Sequence, residues 1–227
     1  MKVAAIIVCA GKGARFGSQD KSKLLLSGKP LFYHSFKIFS RINQITQIVL
    51  VLQKKHILLA KKTIGAKDLD RYNVSCICGG VRRQDSVYNG LKAVDKSIDS
   101  LIIHDGARPG ISKKLTLRLL KELRKSEAVI TGLRARDTLK TVDSNSIVKT
   151  TLDRKNIVSI QTPQGFRKDL LLRAYKKFSK KNMFDDAQLI EILGKKVKVI
   201  PGEMGNFKIT YPEDIILAKA IMSIKSK

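Results

Sequence analysis

The residues best able to do chemistry in this 227-residue chain stand at the ends of short apolar runs. Val3 to Cys9 is one such run, and Ala10-Gly11-Lys12-Gly13-Ala14-Arg15-Phe16-Gly17 follows it directly. Glycines let backbone N–H groups come close to phosphate oxygens, and Arg15 adds a charged fork, with Lys21 and Lys23 a few residues on. Two better-known phosphate patterns do not fit. The dinucleotide fingerprint needs a glycine where Phe16 stands, and the second strand ends in Leu52-Gln53-Lys54 with no acid. The phosphate-loop pattern fails because Ser18 and Gln19 follow Gly17. What remains is a glycine-rich turn where an open α/β sheet holds its ligands, or else a solvated Gly-Lys loop.

Four further constellations could act on a phosphorylated substrate. His104-Asp105-Gly106-Ala107-Arg108-Pro109 ends an apolar strand, and its aspartate suits a divalent ion, a ribose hydroxyl or an ordinary Asp-Gly turn. His104 itself reads as a partly buried structural histidine. Gly79-Gly80 leads into Arg82-Arg83-Gln84-Asp85-Ser86, and a helix opening after a glycine pair suits an anion or the polar edge of a base. Arg136-Asp137-Thr138 faces Thr151-Leu152-Asp153-Arg154 across a turn, which could equally be a surface ion pair of little energetic worth. In Asn206-Phe207-Lys208-Ile209-Thr210 the alternation turns Lys208 away from its apolar neighbours and marks it as a ligand candidate.

Periodicity supplies the elements that position these groups. Strands are expected at Val3–Cys9, Ile48–Gln53, Val74–Cys78, Ser100–His104, Ala128–Leu133, Ser159–Thr162 and Val197–Ile200. Amphipathic helices are expected at Leu31–Arg41, Gln84–Val94, Lys113–Lys125, Lys168–Phe178 and Asp186–Leu193, with a last helix from Pro212 to about Ser223. This alternation implies right-handed crossovers and a mainly parallel sheet with helices on both faces. From Arg134 to Arg154 it breaks: Thr138–Val142 and Ile147–Leu152 flank Asp143-Ser144-Asn145-Ser146, a β-hairpin arm inserted into the domain. An isolated hairpin is marginal in water, so the arm is expected to pack on a second subunit.

Composition sets the outer bounds. The length fits one domain, residues 1–227, able to bury about 70–75% of its unfolded surface. No apolar run nears the ~20 residues of a membrane span, and the first run leads into a glycine turn instead of a cleavage site, so a cytoplasmic location without a membrane is expected. Cys9, Cys76 and Cys78 lack zinc-site spacing and are expected to be buried free thiols. The net charge of +26 attracts polyanions, yet it is spread from Lys2 to Lys227, aromatic residues make up only 6%, and lysines outnumber arginines 32 to 13. A nucleic-acid surface would concentrate the charge and interleave aromatics. A diffuse lysine-rich surface, with no specific nucleic-acid partner, is the reading that fits.

Taken in order, the segments resemble the 2-C-methyl-D-erythritol 4-phosphate cytidylyltransferases across Ala10 to Asp214. The motifs are AGxGxR, a following lysine, GGxxRxxSV, HDGARP, the RDT…DR arm with TPQxF, and NxKxTxPED. The resemblance implies a Rossmann-like α/β nucleotidyltransferase domain whose 134–154 arm serves dimerisation. It implies that CTP and a sugar-alcohol phosphate are the substrates and magnesium the cofactor, in a homodimer. Arg15 and Lys23 would neutralise the CTP phosphates; Arg154 and Lys208, with Thr138, would hold the acceptor phosphate. Ala10, Gly11 and Gly13 would line the nucleotide site, Gly80 and Ser86 would meet cytosine, and Asp105 and Gly106 would sit at the ribose and near the metal. A ribitol 5-phosphate cytidylyltransferase is the sister alternative. The chain departs from the family at Ser22 (often proline), Val81 (an acid in some members) and Phe184 (usually threonine), the last leaving Asp185 without a role.

Overall fold

Every side chain from Val3 to Ile7 is fully buried, which is why this run is continuously apolar instead of alternating. The computed structural model describes residues 1–11, 24–178 and 180–225. In chain order these form β1 (Val3–Val8), β2 (Leu25–Leu26), β3 (Lys29–Pro30), α1 (Leu31–Phe39), β4 (Ile45–Leu52), α2 (Ile57–Ile64), α3 (Ala66–Arg71), β5 (Val74–Cys78), α4 (Arg83–Lys92) and β6 (Ser100–Asp105). There follow α5 (Lys113–Leu123), β7 (Ala128–Arg134), β8 (Leu139–Val142), β9 (Val148–Leu152), β10 (Val158–Arg167), α6 (Lys168–Phe178), α7 (Ala187–Ile192), β11 (Lys198–Pro201) and α8 (Asp214–Lys225). No helix among the described residues is long and apolar enough to cross a membrane.

Among the described residues the main sheet has seven strands in the order β11-β7-β10-β6-β1-β4-β5. β1 runs parallel to both β4 and β6, so the chain leaves β1 to one side and later returns to the other. That reversal of strand order opens a crevice at the carboxyl ends of β1 and β6. β10 is antiparallel to both of its neighbours, so one strand of the mainly parallel sheet is reversed. Side chains alternate between two cores. Val3, Ala5 and Ile7 pack with Phe36, Phe39, Leu115 and Leu119, while Ala4 and Ile6 pack with Val87, Leu91, Leu171 and Tyr175.

The expected strands and helices are all present with ends moved by a few residues, but three readings need correction. The stretch after Gln53 holds α2 and α3, which form the crossover that parallel neighbours β4 and β5 require. β10 runs on to Arg167, far past the expected Thr162, because its register shifts between Gln161 and Gln164 and lets Pro163 sit in the irregularity. Cys78 is exposed, since β5 is an edge strand and Cys78 its last residue, while Cys9 and Cys76 are half-buried.

The arm takes the expected form. β8 and β9 pair with each other apart from the main sheet, and Val142, Ile147 and Val148 are each more than half exposed on it. Elsewhere the packing is tight. A Cβ at Gly90 of α4 would fall 2.6 Å from Ile6 Cγ2 and 3.1 Å from Val51 Cγ2, so this glycine sets how closely α4 approaches β1 and β4. We expect Gly90→Ala to lower the melting temperature by about 2–4 °C, because overpacking costs ~1–3 kcal/mol against ~1 kcal/mol gained in helix propensity. Calorimetry showing an unchanged or higher melting temperature would mean that α4 rides up freely.

Candidate functional site

The carboxyl ends of β1, β4, β5 and β6 open into one cavity of about 700 Å³. The register Val8↔Asp105 brings the two central strands to this edge together. Gly79 and Gly80, just past β5, let the start of α4 close against β1. A Cβ at Gly79 would meet Ala10 Cβ at 2.2 Å and Ser86 Oγ at 2.8 Å. Ser86 Oγ accepts the Gly80 N–H at 3.0 Å and donates to the Arg82 carbonyl at 3.2 Å, so it holds the glycine turn as well as sitting in the helix start. The Asp85 carboxylate reaches back to the Arg82 N–H at 3.0 Å and pairs with the Arg82 guanidinium at 2.6 Å.

Asp105 is held in the cavity from two sides. Its Oδ1 accepts from Arg83 Nε at 3.0 Å and its Oδ2 from Lys208 Nζ at 2.7 Å. Burial by itself would raise this carboxyl, but Arg83, Lys208 and Arg108 outweigh it and hold Asp105 well below the usual carboxylate range. Arg83 reaches back to Asp186 Oδ2 at 2.8 Å, and Asp186 Oδ1 accepts the Tyr175 O–H at 2.5 Å. Burial opposes the Arg83 charge, yet Asp186 and Asp105 together raise its pKa further. Cys9 lines the cavity with its thiol pushed up by burial and then by Asp105, which leaves it protonated.

His104 is fully buried, not partly as its sequence position suggested. Its Nε2 lies 3.1 Å from the Arg108 carbonyl, which can only accept, so Nε2 carries the proton. Nδ1 then accepts from Thr162 Oγ1 at 3.2 Å, and Thr162 Oγ1 accepts the Asp105 N–H at 3.0 Å. The histidine and threonine thereby fix the backbone that carries Asp105. The segment bearing Lys208 is stitched to the same turn. Ile209 N–H donates to the Ala107 carbonyl at 2.9 Å, and Arg108 Nη1 donates to the Asn206 carbonyl at 3.0 Å.

Ala10, Gly11, Gly80, Ser86, Asp105, Gly106 and Lys208, all singled out in the sequence, line this one cavity. Gly13, Arg15 and Lys23 lie outside the described residues. Thr138 and Arg154 are elsewhere, in a shallow depression on the arm with Asp153 and Lys155, and the Arg154 guanidinium donates to the Arg136 carbonyl. Among the described residues no three His, Cys, Asp or Glu side chains cluster as a metal site, and Asp105 faces two cations instead. Asp185 accepts from Gln164 Nε2 at 2.8 Å and from the Gln188 N–H at 3.0 Å, which gives it a role in holding the start of α7. Sequence reasoning missed Arg83, Asp186, Thr162 and Tyr175. Arg83 had a signal, its fixed place between the glycine pair and Ser86, whereas Asp186 looks like any helix-start acid.

A sequence model of the family described as 2-C-methyl-D-erythritol 4-phosphate cytidylyltransferase matches residues 3–224. The protein of that name from Alkaliphilus oremlandii is 40% identical over 231 residues, covering 99% of this chain and 96% of its own length. Its counterpart from Caldanaerobacter subterraneus is 36% identical over 225 residues, covering 98% and 99%. Among solved structures, 4-diphosphocytidyl-2C-methyl-D-erythritol synthase from Anaerococcus prevotii superposes with a TM-score of 0.84 at 35% identity, covering 98% of each chain. The cytidylyltransferase from Thermus thermophilus gives 0.80 at 29% identity, covering 98% of this chain and all of its own.

The buried histidine generates a pH prediction. Burial lowers the His104 pKa to about 4 from 6.5, so the unfolded chain binds a proton between those values that the folded chain refuses. The stability that neutral His104 contributes is therefore complete above pH 6.5 and is lost as pH falls towards 4. Denaturant unfolding should show a loss of about 2 kcal/mol between pH 6.5 and 5 from this residue, at 1.36 kcal/mol per unit. His34, also lowered by burial, adds to the slope with the same sign. His104→Gln should flatten the slope between pH 6.5 and 5; an undiminished slope would place the titration elsewhere.

Proposed function

The chain belongs to the 2-C-methyl-D-erythritol 4-phosphate cytidylyltransferase family, a nucleotidyltransferase, and from that membership we propose how its own residues carry out cytidylyl transfer. The reaction moves CMP from CTP to 2-C-methyl-D-erythritol 4-phosphate. An acceptor phosphate oxygen attacks the α-phosphorus of CTP, the bond from that phosphorus to the β-phosphate oxygen breaks, and pyrophosphate leaves. No nucleophile from the protein is needed, so positioning and charge neutralisation do the work.

The observation that carries this reading is the meeting of Asp105 and Lys208, 103 residues apart in sequence, at the carboxyl edge where an α/β sheet binds nucleotides. In the proposed arrangement CTP occupies the 700 Å³ cavity, with cytosine against Gly80 and Ser86 and ribose at Asp105 and Gly106. Ala10, Gly11 and Gly13 follow the triphosphate, and Arg15 and Lys23 neutralise it. Lys208 lies between the nucleotide and the acceptor phosphate. Magnesium would be carried chiefly on the CTP phosphates, because it keeps waters and prefers phosphate oxygens, and there it would supply charge neutralisation for the leaving pyrophosphate, with Asp105 as the nearby carboxylate. The free thiols at Cys9, Cys76 and Cys78 accord with a cytoplasmic setting.

Arg154 and Thr138 line no part of that cavity. The separation, with the exposed apolar arm, supports a homodimer in which the arm of one subunit brings Arg154 to the acceptor site of the other.

Two measurements test these statements. Pyrophosphate release should require CTP and methylerythritol phosphate together; turnover with ribitol 5-phosphate alone would reassign the acceptor. For the dimer, Arg154→Ala and Lys208→Ala should each be inactive, and exchanging their subunits should restore about a quarter of parental activity. Half the reassorted dimers are hybrids, and each hybrid has one intact site, if the sites act independently. No recovery after demonstrated exchange would put both residues in one subunit's site.

A further inference from the structure

We propose that Asp186 and Tyr175 are positioning residues for the nucleotide site, acting through Arg83 on the carboxylate of Asp105. The inference rests on the reading that CTP binds in this cavity with its ribose at Asp105.

Asp186 does not line the cavity, and at 1% exposure it can touch neither substrate. A carboxylate so buried is costly unless it is paired and hydrogen-bonded, and both its oxygens are: Arg83 Nη1 at 2.8 Å on one, the Tyr175 hydroxyl at 2.5 Å on the other. Tyr175 is itself held, fully buried in the core and stacked on Tyr88 of α4 with ring centroids 5.4 Å apart and planes 7° from parallel. Burial and Asp186 both raise the Tyr175 pKa, so the phenol stays a donor.

The guanidinium of Arg83 is a rigid planar fork. Fixing Nη1 on Asp186 therefore fixes the direction of Nε, which meets Asp105 Oδ1 at 3.0 Å. One Asp105 oxygen is thereby committed to the core side, and the other is shared with Lys208 at 2.7 Å in the cavity. Signs alternate from core to cavity: Asp186 negative, Arg83 positive, Asp105 negative, Lys208 positive. With the charge of Asp186 removed, Arg83 has a single carboxylate partner and can turn to take both oxygens of Asp105 in the bidentate geometry it prefers. The carboxylate then rotates away from the ribose. A merely structural role for Asp186 would lower the folded fraction without altering what the folded site prefers.

The readout is ribose discrimination, the ratio of CTP and 2′-deoxy-CTP dissociation constants by calorimetry, which does not depend on the folded fraction. The full-length parent should prefer CTP. Asp186→Asn, the same shape without the charge, should narrow that preference by about tenfold, as expected for weakening one hydrogen bond to a charged group. Tyr175→Phe should narrow it by about threefold, a smaller loss because the Asp186–Arg83 pair remains. Folded Asp186→Asn with the parental ratio overturns the proposal. If Asp186→Asn does not fold, Tyr175→Phe decides, and an unchanged ratio there overturns it equally. A parent that binds CTP without preference also overturns it, since Asp105 then does not read the ribose. A parent that binds neither nucleotide overturns the functional reading itself, a result distinct from an unchanged ratio.

Discussion

The interaction on which the site depends is the pairing of a buried carboxylate with cations from two distant parts of the chain. Asp105 sits at the end of a central strand, where every neighbouring side chain along the strand is buried. Ionised alone there it would be costly; between Arg83 and Lys208 it is stable. The pairing requires α4 to begin close against β1, which the Gly79-Gly80 turn permits. It also requires the segment before α8 to lie across the turn after β6, which the backbone bonds at Ala107 and Asn206 secure. The geometry of three separate loops is thus tied to one carboxylate.

Much of this was legible in the sequence, and for a local reason. Glycine pairs, an Asp-Gly after an apolar strand, and a lone lysine between apolar residues each state their backbone environment within a few positions. Seven residues singled out that way line one cavity. The continuous apolar run of β1 and the amphipathic runs of α5 and α6 were equally plain, because burial on two faces or on one face leaves a different period. α2 and α3 were not, since their short runs end at Gly65, which adopts φ +85° between them and cuts the pattern. β10 was curtailed because Pro163 in a central strand argues against continuation unless the register shifts around it.

The partners of Arg83 were hidden for a different reason. A bond across 103 residues to Asp186 leaves no trace in spacing, and Asp186 beside Asp185 looks like a helix-start pair. Here the two acids do different work: Asp185 receives amide donors from Gln164 and Gln188, whereas Asp186 carries charge into the core. Sequence gives their type, and only the packing of α4 against α6 and α7 tells them apart.

The order in which the chain is made gives the Lys208 contact another meaning. β11 ends at Pro201, so all seven strands of the sheet have been synthesised before Lys208 is added. A growing chain that has laid down its whole sheet still presents Asp105 and Arg83 without their last cation. The segment carrying it must then settle across a turn made a hundred residues earlier. With β11 docked, only the short stretch after Pro201 has to close for Lys208 to reach Asp105. The pairing is therefore completed only after the scaffold exists, and a chain that stops at residue 201 holds all seven described strands of the sheet without the cation that faces Asp105 across the cavity.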